Sequence, residues 1–99
     1  MEKSGMKRVK FKDLNCLVKL GKYTSGKNLI QLLNEEDGSL VTIATLDIID
    51  FPVRKREVAI NNHSDNEGIL DCLVNAGIIK RPSGQISKGR VKISICELA

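Results

Sequence analysis

The segment of this 99-residue chain that most resembles a known chemical motif is a glycine- and lysine-containing run that begins at Gly21 and ends at Lys27. The run Gly21-Lys22-Tyr23-Thr24-Ser25-Gly26-Lys27 matches the first seven positions of a phosphate-binding P-loop. The eighth position is Asn28, where the motif needs a Ser or Thr hydroxyl to bind magnesium. A long helix should follow Lys27, but the acidic break at Glu35 comes too soon for a crossover between parallel strands. We therefore predict a hairpin turn with two exposed lysines here, not a nucleotide site.

The other titratable residues do not suggest a catalytic or metal-binding set. His63 is the only histidine, and its neighbours Ser64 and Asp65 are poorly placed to act with it. A nucleophile and its base usually hydrogen-bond between separate elements. The acidic run Glu35-Glu36-Asp37 lacks the spaced oxygen ligands of a calcium loop and indicates a solvated turn. We predict a partly exposed His63, no catalytic residue, no metal ion and no cofactor.

The cysteines and the hydropathy pattern indicate the cellular compartment. Cys16, Cys72 and Cys96 are odd in number and include no Cys-x-x-Cys pair, which argues against a disulfide framework and against a zinc site. We predict three reduced, mostly buried thiols that pack as small apolar side chains. No apolar run approaches the roughly 18 residues of a membrane span. The expected location is the cytoplasm, without membrane association.

The distribution of charge is more informative than the net charge of +4. Residues 1–33 contain eight Lys or Arg and two acids, residues 34–79 contain three and nine, and residues 80–99 contain five and one. If the two ends of the chain lie side by side, the molecule would have one basic and one acidic face.

Basic side chains near both ends are the best functional candidates. The candidate nucleic-acid contacts are Lys10, Lys12, Lys80, Arg81, Lys88, Arg90 and Lys92. Such a stripe would attract phosphate backbones in a salt-dependent manner. The chain offers only Phe11, Tyr23 and Phe51 as stacking platforms, and a single helix cannot form a helix-turn-helix. The alternative interpretation is a lysine-rich edge strand that resists aggregation.

One segment, residues 61–78, carries both a helix start signal and a helix stop signal. Ser64 and Glu67 have the spacing of a capping box, and Gly77 stands where a left-handed C-terminal residue is favoured. Between them an apolar stripe consists of Ile69, Leu70, Leu73 and Val74. A small-molecule site at the start of this helix, around Ser64 to Gly68, is a weaker functional alternative.

The remaining chain is typical of strands. Alternating Val9 and Phe11 predict a first strand, a turn is expected at Asp13-Leu14-Asn15, and Asp37-Gly38 predicts a further hairpin. The other predicted strands are Cys16–Tyr23, Leu29–Leu33, Leu40–Leu46 as a central strand, Val58–Ile60 and Val91–Cys96, with a brief pairing at Ile78-Ile79. A connection or edge is expected over Asp47–Glu57, which contains Phe51-Pro52, and Lys80–Gly89 is expected to be a loop by its composition.

These elements predict the α+β class. We expect one domain over residues 1–99, with residues 1–6 frayed, built as a mainly antiparallel, twisted sheet of about five to six strands with one helix packed on one face.

The chain also resembles a family of short, uncharacterised bacterial proteins carried on plasmids and other mobile elements. The resemblance extends over nearly the whole chain, and its most specific part is Asn66-Glu67-Gly68 followed by Ala76-Gly77-Ile78. The other matching positions are Gly26-Lys27, Leu29, Gln31-Leu32, Asp37-Gly38, Ala44-Thr45, Ser64, Leu70, Leu73, Val91, Ile93, Cys96 and Leu98. The resemblance implies an accessory protein of a mobile element, and it implies no catalytic residues because that family has no assigned activity. The chain departs from it in its basic first strand and in Arg54-Lys55-Arg56.

Together these observations predict a non-enzymatic module that binds a partner protein. The alternative is a nucleic-acid-binding accessory protein that uses the basic first strand and the late basic loop.

Overall fold

Two four-stranded antiparallel sheets and one short helix make up the computed structural model, which describes residues 7–48 and 53–99. The first sheet has the order β1 (Lys7–Phe11), β2 (Leu14–Lys22), β3 (Asn28–Asn34) and β4 (Leu40–Ile43). The second has the order β5 (Thr45–Leu46), β6 (Glu57–Ile60), β8 (Val91–Glu97) and β7 (Gly84–Lys88). A 3₁₀ turn (Ser64–Asn66) and the helix α1 (Ile69–Asn75) lie between β6 and β7. The α+β class is confirmed, but the prediction of one sheet of five to six strands is wrong. The predicted fray at residues 1–6 and the Phe51-Pro52 part of the predicted connection lie outside the described residues. Residues 47–48 and 53–56 of that connection belong to no strand.

Local patterns explain the first sheet well. Val9 and Phe11 are buried and alternate with exposed cations, as predicted for β1. The turn to β2 is Lys12-Asp13, one residue earlier than expected, and both of its residues have positive φ (50° and 66°). Such a two-residue turn matches the twist of the paired strands. The Asp37-Gly38 segment forms the predicted β3–β4 hairpin, with Gly38 at φ 76°.

The predicted central strand, Leu40–Leu46, is split between the two sheets at Ala44. The Ala44 N–H donates to the Ile30 carbonyl of the first sheet (2.8 Å), and the Ala44 carbonyl accepts from Asn61 next to the second (2.8 Å). The two halves therefore form edges: β4 closes the first sheet and β5 begins the second. One extended segment can serve two sheets because strands turn corners by exchanging their hydrogen-bond partners.

In the second sheet the predicted loop Lys80–Gly89 proves to contain a strand. Residues of β7 pair with β8 from Gly84 opposite Ile95 to Lys88 opposite Val91. Only Ile86 on this edge strand is apolar, so the sequence has no alternation that would indicate a strand. The predictions for β6, β8 and a brief pairing of Ile79, here with Leu98, are confirmed.

The principal core lies between the two sheets and α1. Its buried side chains include Val9 and Phe11 of β1, Ile30 and Leu32 of β3, Val58 and Ile60 of β6, Cys96 of β8, and Ile69 and Leu73 of α1. The helix therefore covers a sheet face, as predicted. A smaller cluster of Ala59, Ile93 and Ile95 lies on the opposite face of the second sheet.

The predicted capping box at Ser64 and Glu67 is wrong. Ser64 lies inside the 3₁₀ turn with φ 54°, and the Glu67 N–H donates to the Ser64 backbone carbonyl at 3.1 Å. The helix begins later, after Gly68 at φ 94°. Asn62 performs the capping role instead, because its Oδ1 accepts from the N–H groups of Gly68 (3.1 Å) and Leu70 (3.0 Å). These bonds occupy the donors that the small-molecule alternative would have needed.

The predicted C-terminal signal is confirmed. Gly77 has φ 76°, and its N–H donates to the Val74 carbonyl at 3.0 Å. The Ile78 N–H donates to the Leu73 carbonyl, also at 3.0 Å. This pair of bonds is the Schellman motif, and the burial of Leu73 and Ile78 supplies its usual apolar contact.

Candidate interaction surfaces

The seven predicted nucleic-acid contacts are all exposed, but the fold divides them between two sheets. Lys10 and Lys12 belong to β1 and its turn, at one edge of the first sheet. The other five, Lys80, Arg81, Lys88, Arg90 and Lys92, lie before β7 or on the β7–β8 hairpin of the second sheet. Within residues 7–48 and 53–99, no strand pairing joins β1 to β7 or β8. The structure therefore does not build one ladder of cations from both chain ends.

Two of the predicted lysines are engaged within the protein. The Lys12 ammonium donates to the Asp65 carbonyl in the 3₁₀ turn and lies 5.5 Å from the centre of the Phe11 ring. The Lys80 ammonium lies 3.0 Å from Glu97 Oε1. This hydrogen bond and the positive charge of Lys80 lower the pKa of the Glu97 carboxyl. Both lysines are thus less available to a ligand than their exposure suggests.

The β7–β8 hairpin is the more open basic element. Lys88, Arg90 and Lys92 are exposed around its turn, where Gly89 has φ 64°. In the described part of the chain, no carboxylate lies within ion-pair distance of these three side chains. The hairpin is a two-stranded ribbon with a positive tip, which is a shape that fits nucleic-acid grooves.

The outer face of the first sheet carries a surface that the sequence patterns did not predict. Side chains directly opposite each other across the strands share a face, so the register places Leu17, Leu33 and Leu40 in one row and Ile43 beside Gln31 in the next. Leu29 is opposite Gly21 on the same face. We call this set the outer apolar patch: Leu17, Leu29, Leu33, Leu40 and Ile43.

The outer apolar patch is separate from the folding core. None of its five side chains belongs to either core cluster, whereas Ile30 and Leu32 on the opposite face of the same sheet are fully buried. Leu40 is 53% exposed and Ile43 is 37% exposed. Apolar residues occur at both odd- and even-numbered positions of β2 and β3, which indicates apolar side chains on both faces of the sheet. The sequence does not show which of these faces the core covers.

Three cations share the face of this patch: Arg8 and Lys10 lie on β1, and Lys19 lies on β2. Arg8 lies opposite Leu17, while Lys10 and Lys19 occupy the same outer face, since they lie two residues along the strand from Arg8 and Leu17. Arg8 is 3.5 Å from Glu35, but the Arg8 side chain remains 73% exposed. The four strands of the first sheet contain no Asp or Glu. The exposed face therefore has one row of leucines next to a mixed row of Lys19, Gln31 and Ile43, with Arg8 and Lys10 on the β1 side.

The P-loop-like segment forms the predicted hairpin turn, with Gly26 N–H donating to the Tyr23 carbonyl at 2.9 Å. Lys22 is exposed as expected, but Lys27 is not. Its ammonium is 3.6 Å from Asp47 Oδ1 and donates to the Ile48 carbonyl, so the side chain is only 19% exposed. Lys27 therefore ties the β2–β3 turn to the segment that follows β5.

The remaining candidates for chemistry are His63, the three cysteines and the acidic turn after β3. His63 is half-buried, as predicted, and Cys16 and Cys96 are fully buried while Cys72 is half-buried, all three as free thiols. In the turn after β3, Asp37 accepts from the Ser39 N–H and hydroxyl, which lowers the pKa of its carboxyl. No group of three His, Cys, Asp or Glu side chains is arranged to hold a metal ion within the described ranges. None of the described helical segments has the length and hydropathy that spanning a bilayer requires.

Comparisons with protein-family models, with curated proteins and with solved structures find no match to this chain.

Proposed function

We propose that this chain is a non-enzymatic interaction module that binds a partner protein through the outer apolar patch. The observation that carries the proposal is the row of Leu17, Leu33 and Leu40 on a sheet face that neither core cluster uses. Exposed apolar side chains grouped on one surface are typical of interaction sites.

Burial of the outer apolar patch by a partner would be energetically favourable. Fully burying an exposed leucine stabilises a complex by about 1.5–3 kcal/mol, and half-buried side chains contribute correspondingly less. Leu40 and Ile43, as the most exposed members, would gain most from a partner. They lie on the edge strand β4, where a partner can approach without disturbing the core.

The proposed cellular setting is the bacterial cytoplasm, with the chain acting as an accessory protein of a mobile element. The mobile-element part of this proposal rests on the sequence resemblance alone, because no family model matches the chain. Free thiols at Cys16, Cys72 and Cys96 support a reducing compartment.

Copurification from a bacterial host tests the proposal with a matched pair of variants. The patch variant is Leu40→Thr with Ile43→Thr, and the control is Leu20→Thr with Val91→Thr, which removes exposed apolar side chains outside the patch. We expect the patch variant to lose a protein that both the wild type and the control retain. Circular dichroism of all three proteins checks that they are folded.

Identical sets of captured proteins from the patch variant and the wild type would contradict the proposal. So would turnover of a substrate that is abolished by replacing His63 or a cysteine, because a binding module needs no such residue.

Nucleic-acid binding is the second candidate, and the observation that favours it is the positive tip of the β7–β8 hairpin. Three phosphate contacts, one each from Lys88, Arg90 and Lys92, would give a slope of about −3 in a plot of log affinity against log salt for duplex DNA. Lys88→Glu with Arg90→Glu should abolish this binding, whereas Lys10→Glu with Lys19→Glu, the same charge change on the first sheet, should reduce it less. No binding to duplex or single-stranded DNA at low salt removes this candidate.

A further inference from the structure

We infer that the outer apolar patch accepts an acidic amphipathic helix of a partner protein. This inference rests on the proposed function and adds the chemical character of the partner. Its basis is the combination of an apolar row with Arg8, Lys10 and Lys19 on the same exposed face.

The apolar row suits one face of a helix. Leu17, Leu33 and Leu40 lie on neighbouring strands, about 4.8 Å apart from one strand to the next. Apolar side chains recur along a helix at a rise of about 5.4 Å per turn, which is close to that spacing. A helix packed on a sheet is also one of the stable layer arrangements that bury an apolar sheet face.

The charge of Arg8, Lys10 and Lys19 selects an acidic helix. Arg8 is one strand spacing, about 4.8 Å, from Leu17, and Lys19 is two residues along β2, about 6.6 Å from it. Carboxylates flanking the apolar stripe of a docked helix would therefore lie within reach of the guanidinium and ammonium groups. Arg8 already lies 3.5 Å from Glu35, which follows β3, whereas Lys10 and Lys19 have no ion pair within the described residues, so a docked helix would supply their carboxylates.

A second copy of this chain fits the face less well. Face-to-face pairing of two first sheets would place the cations of one copy opposite either the same cations or the apolar patch of the other. Neither arrangement supplies a carboxylate from the strands to Lys10 or Lys19. Charge complementarity thus favours a different protein as the occupant.

Nucleic acid is also a poor occupant of this surface. The patch contains leucine and isoleucine but no aromatic ring on which a base could stack. Desolvating the exposed leucines against a phosphate backbone would gain little.

Synthetic peptides provide the test. The probe is a labelled amphipathic helical peptide with leucine on one face and glutamate on the other, compared with the same peptide carrying lysine for glutamate and with one carrying serine for leucine. Fluorescence anisotropy measures binding to the full-length chain at low and high salt. We expect only the leucine–glutamate peptide to bind, and high salt to weaken it.

Variants assign the binding to the surface. Lys10→Glu with Lys19→Glu should lower the affinity for the leucine–glutamate peptide by about tenfold or more, because these charges are reversed. Leu40→Thr with Ile43→Thr should weaken it as well. Lys88→Glu with Arg90→Glu, an equal charge change on the hairpin, should leave it within about twofold of the wild type.

The outcomes separate this inference from the proposed function. Equal binding of the lysine and glutamate peptides, or no peptide binding while patch-dependent copurification persists, overturns the acidic helix and leaves the protein-binding role. Self-association that is lost in Leu40→Thr with Ile43→Thr also overturns it, in favour of a second copy. If the wild type neither binds the leucine–glutamate peptide nor captures a protein in a patch-dependent manner, both proposals are wrong.

Discussion

At the scale of single residues, Asn62 has a larger structural role than its position in a loop suggests. Its side-chain oxygen accepts two backbone N–H groups at the start of α1, from Gly68 and Leu70. The first N–H groups of a helix have no acceptor within the helix, so one well-placed side chain can accept from several of them. Ser64 accepts at its backbone carbonyl, which any residue would provide.

Replacing Asn62 with Ala should therefore destabilise the fold by about 1–2 kcal/mol, because both donors lose their acceptor. Ser64→Ala, the matched change at the predicted cap, should change the free energy of unfolding by less than about 0.5 kcal/mol. Urea unfolding measures both. A larger decrease in unfolding free energy for Ser64→Ala than for Asn62→Ala would show that Ser64, and not Asn62, caps the helix.

Cys96 is a second residue whose environment has a measurable consequence. The side chain is fully buried on β8, and burial raises its pKa to about 11. The folded chain then keeps the thiol proton over a range in which the unfolded chain, with an ordinary value of 9.0, loses it. Stability must fall as the pH rises through that range, because the folded state binds more protons.

We expect wild-type stability to decline above pH 9, with a contribution from Cys96 of about 1 kcal/mol by pH 10. Cys96→Ala should be less stable at neutral pH, since it leaves a cavity, but its stability should decline less steeply over the same range. Parallel slopes of unfolding free energy against pH for the two proteins would contradict this assignment.

At the scale of elements, the end of α1 is defined more sharply than its beginning. Gly77 adopts a left-handed conformation that allows the two Schellman hydrogen bonds to form. A side chain at that φ would be strained even though no atom lies within 4 Å of the position where a Cβ would stand. The cost is therefore conformational and not steric.

Gly77→Ala should destabilise the chain by about 1 kcal/mol for this reason. Gly84→Ala is the control, because Gly84 also has open space around it but no positive φ. We expect that change to be neutral or slightly stabilising in thermal unfolding. Equal effects at the two glycines would show that the left-handed conformation is not required.

The junction at Ala44 is the element that determines the architecture. Next to it, Thr45 Oγ1 accepts the Ile30 N–H at 3.2 Å and lies 3.1 Å from the Tyr23 hydroxyl. The segment thus remains bonded to β3 while β5 already pairs with β6. Because the segment exchanges its hydrogen-bond partner from β3 to β6, the two sheets can pack around one shared core.

At the scale of the whole molecule, charge and apolar surface are arranged by sheet and not by chain end. The basic N-terminal strand and the basic C-terminal hairpin lie in separate sheets. The outer apolar patch belongs to the first sheet, beside the cations of β1 and β2. The molecule therefore has two candidate surfaces with different chemistry, which can be tested separately.

The two faces of the first sheet should respond differently to mutation. Leu32→Ala removes a fully buried core side chain and should cost about 2–5 kcal/mol of unfolding free energy. Leu40→Thr, on the outer apolar patch of the next strand, should change it by less than about 0.5 kcal/mol. Urea unfolding at one pH provides the comparison. A large loss for Leu40→Thr would mean that the patch serves folding and not binding.

The amino-acid sequence alone determined the elements whose signals are local. Alternation identified β1 and β8, Asp37-Gly38 identified a hairpin, and Gly77 identified the end of α1. Each of these depends on residues a few positions apart, whose backbone preferences are largely independent of the rest of the fold.

Only the tertiary structure decided how those elements combine. It divided Leu40–Leu46 between two sheets, made a strand of Gly84–Lys88, and left the outer apolar patch outside both core clusters of the described residues. The physical reason is that sheet partners and buried faces depend on contacts between residues distant in sequence. Leu33 and Leu32 are adjacent and equally apolar, and only the packing of the second sheet and α1 makes one of them core and the other surface.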